Sequence, residues 1–399
     1  MLNRIAFFIC FSFIFFLTLC VTSTFFPNIY STVYFGTAYA DETSGTWDYY
    51  KSRFISSDGR VADLFQNNIS HSEGQGYGLL LSVINNDKAT FENILNWTKN
   101  NIMVRKDGLA AWSWGQRDNG EWGVIDYNNA TDGDILIAWA LLKGDEKWQN
   151  NEWKSWADST IDRIRLLLTI KRQNKIILLP GYYGFTSKSG KSEESKQSNN
   201  LDNINLRLNV SYFLFPAFSV FADSGLNDSN SKSGGSKNGD SKSRTAENKK
   251  FWQQLSGDSL TILKQSLSGS MTLPPDWLNI DEKGKPVIDK DKGAVFGYDS
   301  IRVPLYLAMA GDKKILEIFK PYLKFCNKIG YVPVTVDLIN EQIAIQEASA
   351  GFHAVLSKCA GMIGETAISK SLMQRADSKI MQEKDDYYSN TLYLLAKSI

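Results

Sequence analysis

HSEGQGYGLLLSVI, residues 71–84, sets a polar, glycine-punctuated cluster holding one carboxylate, Glu73, directly against an apolar run. A helix that is apolar nearly all round belongs in a core, whereas one with a polar face lies outside. The same arrangement recurs as ATDGDILIAWALL (130–142), LNVSYFLFPAFSVFA (208–222), GYDSIRVPLYLAMAG (297–311), EASAGFHAVLSKCAG (347–361) and DYYSNTLYLLAKS (386–398). Between these lie amphipathic, charged helices: KATFENILNWTKNNI (88–102), NEWKSWADSTIDRIRLLLTIKRQ (151–173) and KKILEIFKPYLKFCNKI (313–329). Six buried helices alternating with outer ones predict an all-α fold, a toroid of helical hairpins or (α/α)6 barrel with small β elements in its loops. A plain helical bundle is the competing arrangement. In a ring the polar clusters at the inner-helix starts converge at one end. RQNKIILLPGYYGF (172–185) alternates and ends in glycines, which predicts a β-hairpin.

The chain begins MLNRIAFFICFSFIFFLTLCV, one cation at Arg4 and then a long apolar run, and Ala38-Tyr39-Ala40 gives a small-residue cleavage pattern before Asp41. Residues 1–40 read as a secretory signal, with an uncleaved N-terminal anchor as the alternative. Residues 41–399 then form a single exported domain, periplasmic or secreted. Two tracts rich in Ser, Lys, Gly and Asn, 186–200 and 223–250, hold almost nothing to bury and read as mobile surface insertions.

Of the 44 basic residues only Arg4 lies in the leader, which leaves 43 against 43 acidic residues in the exported part. That balance argues against nucleic acid or another polyanion as partner. Eleven Trp offer flat apolar faces with a polar N–H, suited to stacking on sugar rings or to filling a large core. Beyond the leader the cysteines are Cys326 and Cys359, open to a disulfide or to two buried thiols. With His71 and His353 as the only histidines and no close Cys/His cluster, neither a metal nor a cofactor is expected. Acid–base chemistry then falls to carboxylates.

Glu73 falls in the first turn of its helix, with Ser72 as candidate N-cap. An acidic residue there is ordinary, because the positive helix end stabilises it. A general acid needs the opposite push, from aromatic desolvation or a second carboxylate. Gly74, Gly76 and Gly78 weaken a helix, which implies that another backbone or a ligand comes close. In ATDGDILIAWALL, Thr131 is the candidate N-cap and Asp132 and Asp134 share the first turn. The preceding AAWSWGQRDNGEWGVIDYNN (110–129) delivers Trp112, Trp114, Trp122 and Tyr127 to the same end, with Trp114 the preferred sugar platform. Asp299 precedes Arg302 by three positions on one helix face. That is either a structural ion pair or a carboxylate held ionised for use as a base.

Through SEGQGYGLLL, ATDGDILIAWALL, LNVSYF, LPPDWL (273–278), GYDSIRVPLYL and the terminal YYSNTLYLLA, in that order, the chain resembles glycoside hydrolase family 8. That family comprises inverting endoglucanases and their relatives on an (α/α)6 barrel. The resemblance implies Glu73 as proton donor, Asp299 as the base that activates water, and Asp132 as the group holding that water and a distorted sugar. It implies that Trp114, Tyr212, Tyr298 and Arg302 shape the cleft, and Trp112 and Tyr127 join them from the aromatic loop. The implied substrate is cellulose or a related β-1,4-glucan, cut internally by a monomer, in association with bacterial cellulose synthesis or in degradation of external polysaccharide. Inversion asks for carboxyl groups about 6.5–9.5 Å apart, with an ionised Asp132 keeping Glu73 protonated. Two departures stand out: the family's Asn-Pro-Ser-Tyr turn is Asn209-Val210-Ser211-Tyr212 here, and Ser300 stands where alanine is common. Chitosan as substrate, a non-catalytic glycan-binding protein and a structural helical-repeat protein are the alternatives.

Overall fold

The computed structural model describes residues 45–188, 204–224 and 238–399. The leader, 189–200 and 225–237, for which a signal and mobile insertions are expected, lie outside the described residues. In chain order, α1 (Trp47–Phe54) precedes α2 (Ser72–Ile84) and α3 (Lys88–Asn101), then α4 (Thr131–Trp148) and α5 (Asn151–Leu167), then α6 (Phe215–Asp223) and α7 (Asn238–Ser266). The last third supplies α8 (Arg302–Met309), α9 (Lys313–Leu316), α10 (Lys320–Ile329), α11 (Ala350–Met362), α12 (Thr366–Ile380) and α13 (Tyr387–Lys397). Helices α2, α4, α6, α8, α11 and α13 each pack on the next, and α13 returns to α2. That closes a ring. Outside it, α3, α5, α7, α9 and α12 back the inner helices they follow, while α1 backs α13. The molecule is the expected (α/α)6 barrel.

Burial sorts the two layers. Every side chain of α4 from Thr131 to Leu142 is buried, whereas α10 buries only Tyr322, Leu323 and Cys326. A fully buried Leu or Ile contributes about 1.5–3 kcal/mol. An exposed ion pair such as Lys143–Glu146 contributes about 0–1 kcal/mol, so the ring holds the fold and the surface charges do not.

Glycine lets α2 and α4 approach. A Cβ at Gly76 would stand 2.5 Å from Leu136 Cβ, and one at Gly133 would stand 2.1 Å from Ser72 Oγ and 2.8 Å from the Glu73 nitrogen. The glycines of the opening motif therefore serve helix packing. Gly76→Ala is expected to lower stability by about 1–3 kcal/mol, the cost of over-packing a filled core, seen as a lower urea midpoint at unchanged m-value.

Small sheets fill the loops. Strands β1 (Ser70–His71), β2 (Ser113–Gln116) and β3 (Trp122–Asp126) form one sheet, and β4 (Thr169–Arg172) pairs with β5 (Lys175–Leu178). Strands β6 (Thr186–Lys188), β7 (Ile204–Asn209), β8 (Trp277–Ile280) and β9 (Pro286–Ile288) form a four-stranded sheet, and β10 (Val295–Phe296) pairs with β11 (Val336–Asp337). All these pairings are antiparallel. Strand β1 leads straight into α2, and β7 leads through a short 3-10 turn, Val210–Tyr212, toward α6.

Several local expectations are corrected. His71, not Ser72, is the N-cap of α2: its backbone is extended and its Nδ1 accepts from the Gly74 N–H at 2.9 Å. Thr131 begins α4 rather than capping it, and its hydroxyl donates to the Leu179 carbonyl at 2.7 Å. The hairpin starts three residues before the expected stretch and turns on Gln173 and Asn174, both at positive φ, as a tight two-residue turn of this kind demands. The second polar tract is helical from Asn238 onward, because Trp252 further along α7 is fully buried against Phe218 and Phe221. Cys326 and Cys359 are free, buried thiols. No helix among the described residues is long and apolar enough to cross a membrane.

Candidate active site

Ring closure brings the inner-helix starts together. Glu73 is the second residue of α2, Asp132 the second of α4 and Arg302 the first of α8, with Asp299 in the turn just before it. Arg302, only 3% exposed, ties them into one cluster. Its Nη1 donates to Glu73 Oε1 and, at 3.1 Å, to Asp132 Oδ2. Its Nη2 donates to Asp299 Oδ1 and to Ser211 Oγ, both at 2.6 Å. Tyr212 hydrogen-bonds Asp132, and its ring centroid lies 5.9 Å from the guanidinium carbon. The 3-10 turn carrying Ser211 and Tyr212 is capped by Asn209, whose Oδ1 accepts from the Ser211 N–H at 2.9 Å. The turn therefore forms with valine at 210.

Two adjoining cavities flank the cluster and share Gln66, His71, Glu73, Asp299 and Arg302. The larger, about 330 Å³, is also walled by Asp63, Phe65, Tyr298, Asp386, Tyr387 and Tyr388. The smaller, about 160 Å³, is also walled by Ser72, Trp112, Ala130, Asp132 and Tyr212. One water takes about 30 Å³ of liquid volume. The space beside Glu73, Asp132 and Asp299 is therefore large enough to admit water.

Three ionised carboxylates against one guanidinium would leave two negative charges uncompensated, with Asp132 buried and Glu73 and Asp299 partly exposed, and desolvation answers by favouring protonation. Desolvation pushes Asp132 up to about 8, with Asp299 and Asp134 adding to it and the Gly133 N–H and Tyr212 hydroxyl opposing. Desolvation likewise raises Asp299 to about 7, with Asp276 adding and Asn209, Trp277 and Lys292 opposing. Burial thus pulls Asp132 toward its protonated form, against the hydrogen bonds from Arg302 Nη1 and the Tyr212 hydroxyl, which favour the carboxylate. The 2% exposure of Asp132 decides the sign. Asp134, raised to about 7 by burial, walls neither cavity. It accepts from the Ala110 N–H and from Asn129 Nδ2, both at 2.8 Å, and so ties the aromatic loop to α4.

The aromatic candidates divide. Trp112, Tyr212 and Tyr298 wall the cavities, and Trp114 and Tyr127 wall neither. Trp114 sits opposite Ser70, edge-on to Trp97 at 5.1 Å and 5.4 Å from Trp122, with the Arg60 guanidinium 5.4 Å from its ring. Tyr127 is 57% exposed. Sequence reasoning missed Ser211, Trp277, Phe65 and Gln66. The first two stood inside quoted motifs without a role, while DLFQNNI (63–69) carries no signal beyond turn residues. Among the described residues no group of three His, Cys, Asp or Glu is placed to hold a metal ion. Glu73, Asp132 and Asp299 thus stand together, bridged by one guanidinium, at the wall of the smaller cavity.

The family model for glycosyl hydrolases family 8 matches residues 23–231 and 243–399. An endoglucanase of Cellulomonas uda is 29% identical over 310 residues, 77% of this chain and 75% of that protein. The solved structure of endoglucanase Cel10 from Klebsiella pneumoniae, a family 8 glycosyl hydrolase, matches with a TM-score of 0.68 at 28% identity, covering 88% of this chain and 97% of that one. Endo-β-1,4-glucanase CMCax from Acetobacter xylinum also matches with a TM-score of 0.68, at 26% identity, covering 88% and 95%.

Proposed function

The chain belongs to glycosyl hydrolases family 8 and is a glycoside hydrolase, and from that premise we propose that it cuts β-1,4-linked glucan internally and with inversion, Glu73 serving as acid and Asp299 as base. The observation that supports this most is the pair of contacts from Arg302, which holds Glu73 and Asp299 on its two terminal nitrogens beside a space that fits water. Glu73, entering the cycle protonated, gives the proton of its free carboxyl oxygen to the leaving glycosidic oxygen, while Oε1 goes on accepting from Arg302 Nη1. Asp299 takes a proton from the water that attacks the anomeric carbon on the opposite face. One C–O bond breaks as another forms, and the configuration inverts. Asp132, joined to the Tyr212 hydroxyl, orients the water and the distorted ring. Trp112 and Tyr298 offer flat faces to neighbouring sugars. The leader supports export to the periplasm or beyond, where residues 41–399 act as one monomeric catalytic domain. A place beside cellulose synthesis is the setting drawn from the family resemblance.

Asp63 and Asp386 on the larger cavity are what chitosan, a cationic polymer, would seek. Both are committed to local turns, however. Asp63 accepts from the Phe65 and Gln66 N–H groups and from Gln66 Nε2, and Asp386 caps α13 through the Ser389 N–H. Such hydrogen bonds leave the negative charge in place, so the preference for glucan rests on the endoglucanase relatives. The test is a panel of polysaccharides with the purified exported part. Reducing ends are expected from carboxymethylcellulose and β-glucan, with the α-anomer first in proton NMR of fresh product. Initial β-anomer would end the inverting scheme, and release from chitosan alone would end the glucan reading.

A further inference from the structure

LPPDWL (273–278) is the quoted motif whose residues the chemistry above leaves without a task. Its aspartate, Asp276, accepts through Oδ1 from the N–H groups of Gly297 at 2.8 Å and Ser300 at 2.9 Å and from the Ser300 hydroxyl. Its own N–H donates to the Val295 carbonyl at 2.7 Å. Asp276 thus clamps the 297–300 turn that carries Asp299. The next residue, Trp277, opens β8 opposite Asn209 of β7, so the strand pair that sets Ser211 beneath Arg302 also sets the indole. Indole Nε1 donates to Asp299 Oδ2 at 3.0 Å, while Arg302 Nη2 holds Oδ1 at 2.6 Å. Phe185 stacks on the ring at 6.2 Å and 5° between planes, and Lys292 Nζ lies 5.4 Å from its centroid. These contacts fix the direction of the N–H.

We propose that Trp277 is a positioning residue for Asp299, its N–H fixing the carboxylate plane toward the space where the attacking water sits. This rests on Asp299 being the base. The charged and titratable groups around Asp299 are Arg302 from α8, Asp132 from α4, Tyr212 from the 3-10 turn, Tyr387 and Tyr388 of α13, Asp276 below the turn, Lys292 beside the indole, and Glu73, His71, Asp63, Tyr298 and Asp386 around the cavities. Against the pull of burial and of Asp276 toward the protonated form, the indole N–H favours the ionised one. Without that N–H, Asp299 takes up a proton at higher pH. The acid-side limb of kcat/KM, where the base is lost to protonation, then moves upward in pH.

Trp277→Phe keeps a ring against Phe185 but deletes the donor together with part of the indole's volume. The expected result is a fall in kcat/KM of about ten- to a hundredfold, from the loss of a hydrogen bond to a charged group. The fall lies in kcat rather than KM, and the acid limb shifts to higher pH. Replacing Trp277 by β-(3-benzothienyl)alanine, which has the indole's shape with sulfur in place of N–H, should give the same shift with packing undisturbed. A wild-type acid limb in either folded variant overturns the proposal, because a residue that only fills space does not move that limb. Asp299→Asn, assayed alongside, separates the two claims. If it retains turnover, the assignment of the base has failed. If it is inactive while the position-277 variants keep the wild-type profile, only the role of Trp277 has failed.

Discussion

Glu73→Gln and Asp299→Asn are each expected to lower kcat on glucan by about a thousand- to ten-thousandfold, the upper range for loss of a positioned acid or base, with oligosaccharide affinity nearly unchanged. Glutamine keeps the shape of Glu73 and an oxygen for Arg302 Nη1, yet has no proton to give. Asparagine at 299 is a harsher change. Oδ1 faces Arg302 Nη2 and Oδ2 faces the Trp277 N–H, so whichever way the new amide turns, its NH2 meets a donor. Two measurements tell the roles apart. A substrate with a leaving group that departs without a proton should restore much of the turnover of Glu73→Gln and little of that of Asp299→Asn. In the unaltered protein kcat/KM should rise with pH as Asp299, at about 7 in the free site, ionises. That limb should be missing in Asp299→Asn. Near-full activity in either variant would contradict the assignment.

The ring was legible in the sequence because inner and outer helices differ in composition along one dimension. ATDGDILIAWALL is buried from Thr131 to Leu142, as its unbroken apolar run requires. Caps were less legible, since Ser72 and His71 both offer an acceptor and the extended backbone at His71 decides between them. Asp132 and Asp134 look equivalent in the chain. On a helix they stand about 200° apart, so one faces Arg302 and the other faces Ala110 and Asn129. The upward pull on the pKa of Asp132 was not legible at all, because it follows from burial by residues far along the chain. Trp114 was placed at the correct end, but Trp97, Trp122 and Arg60 crowd it, and these meet it only once β1, β2 and β3 have paired.

Arg302→Met should give the largest loss of stability, about 3–5 kcal/mol at neutral pH, the cost of removing one partner from a buried ion pair. The guanidinium holds Glu73 from α2, Asp132 from α4, Ser211 from the 3-10 turn and Asp299 from the turn before α8. Methionine fills similar volume, so the loss is one of charge compensation and not of packing. Three carboxylates remain, with no cation bonded to them, and they hold protons more tightly still. A carboxyl group whose folded-state pKa is raised contributes stability below its unfolded value, near 4, and that contribution is lost as pH rises through the folded value. In the unaltered protein that loss runs through about 7 for Asp299 and about 8 for Asp132. The deficit of Arg302→Met should therefore be greatest at pH 8 and above, and should narrow as the pH falls toward 4, in urea unfolding followed across that range. A deficit constant with pH would place the damage in the packing of the side-chain stem instead. Arg302→Lys sharpens the point. A single ammonium restores much of the charge balance but cannot reach Glu73 and Asp299 together in a fixed fork, so stability should recover well ahead of turnover.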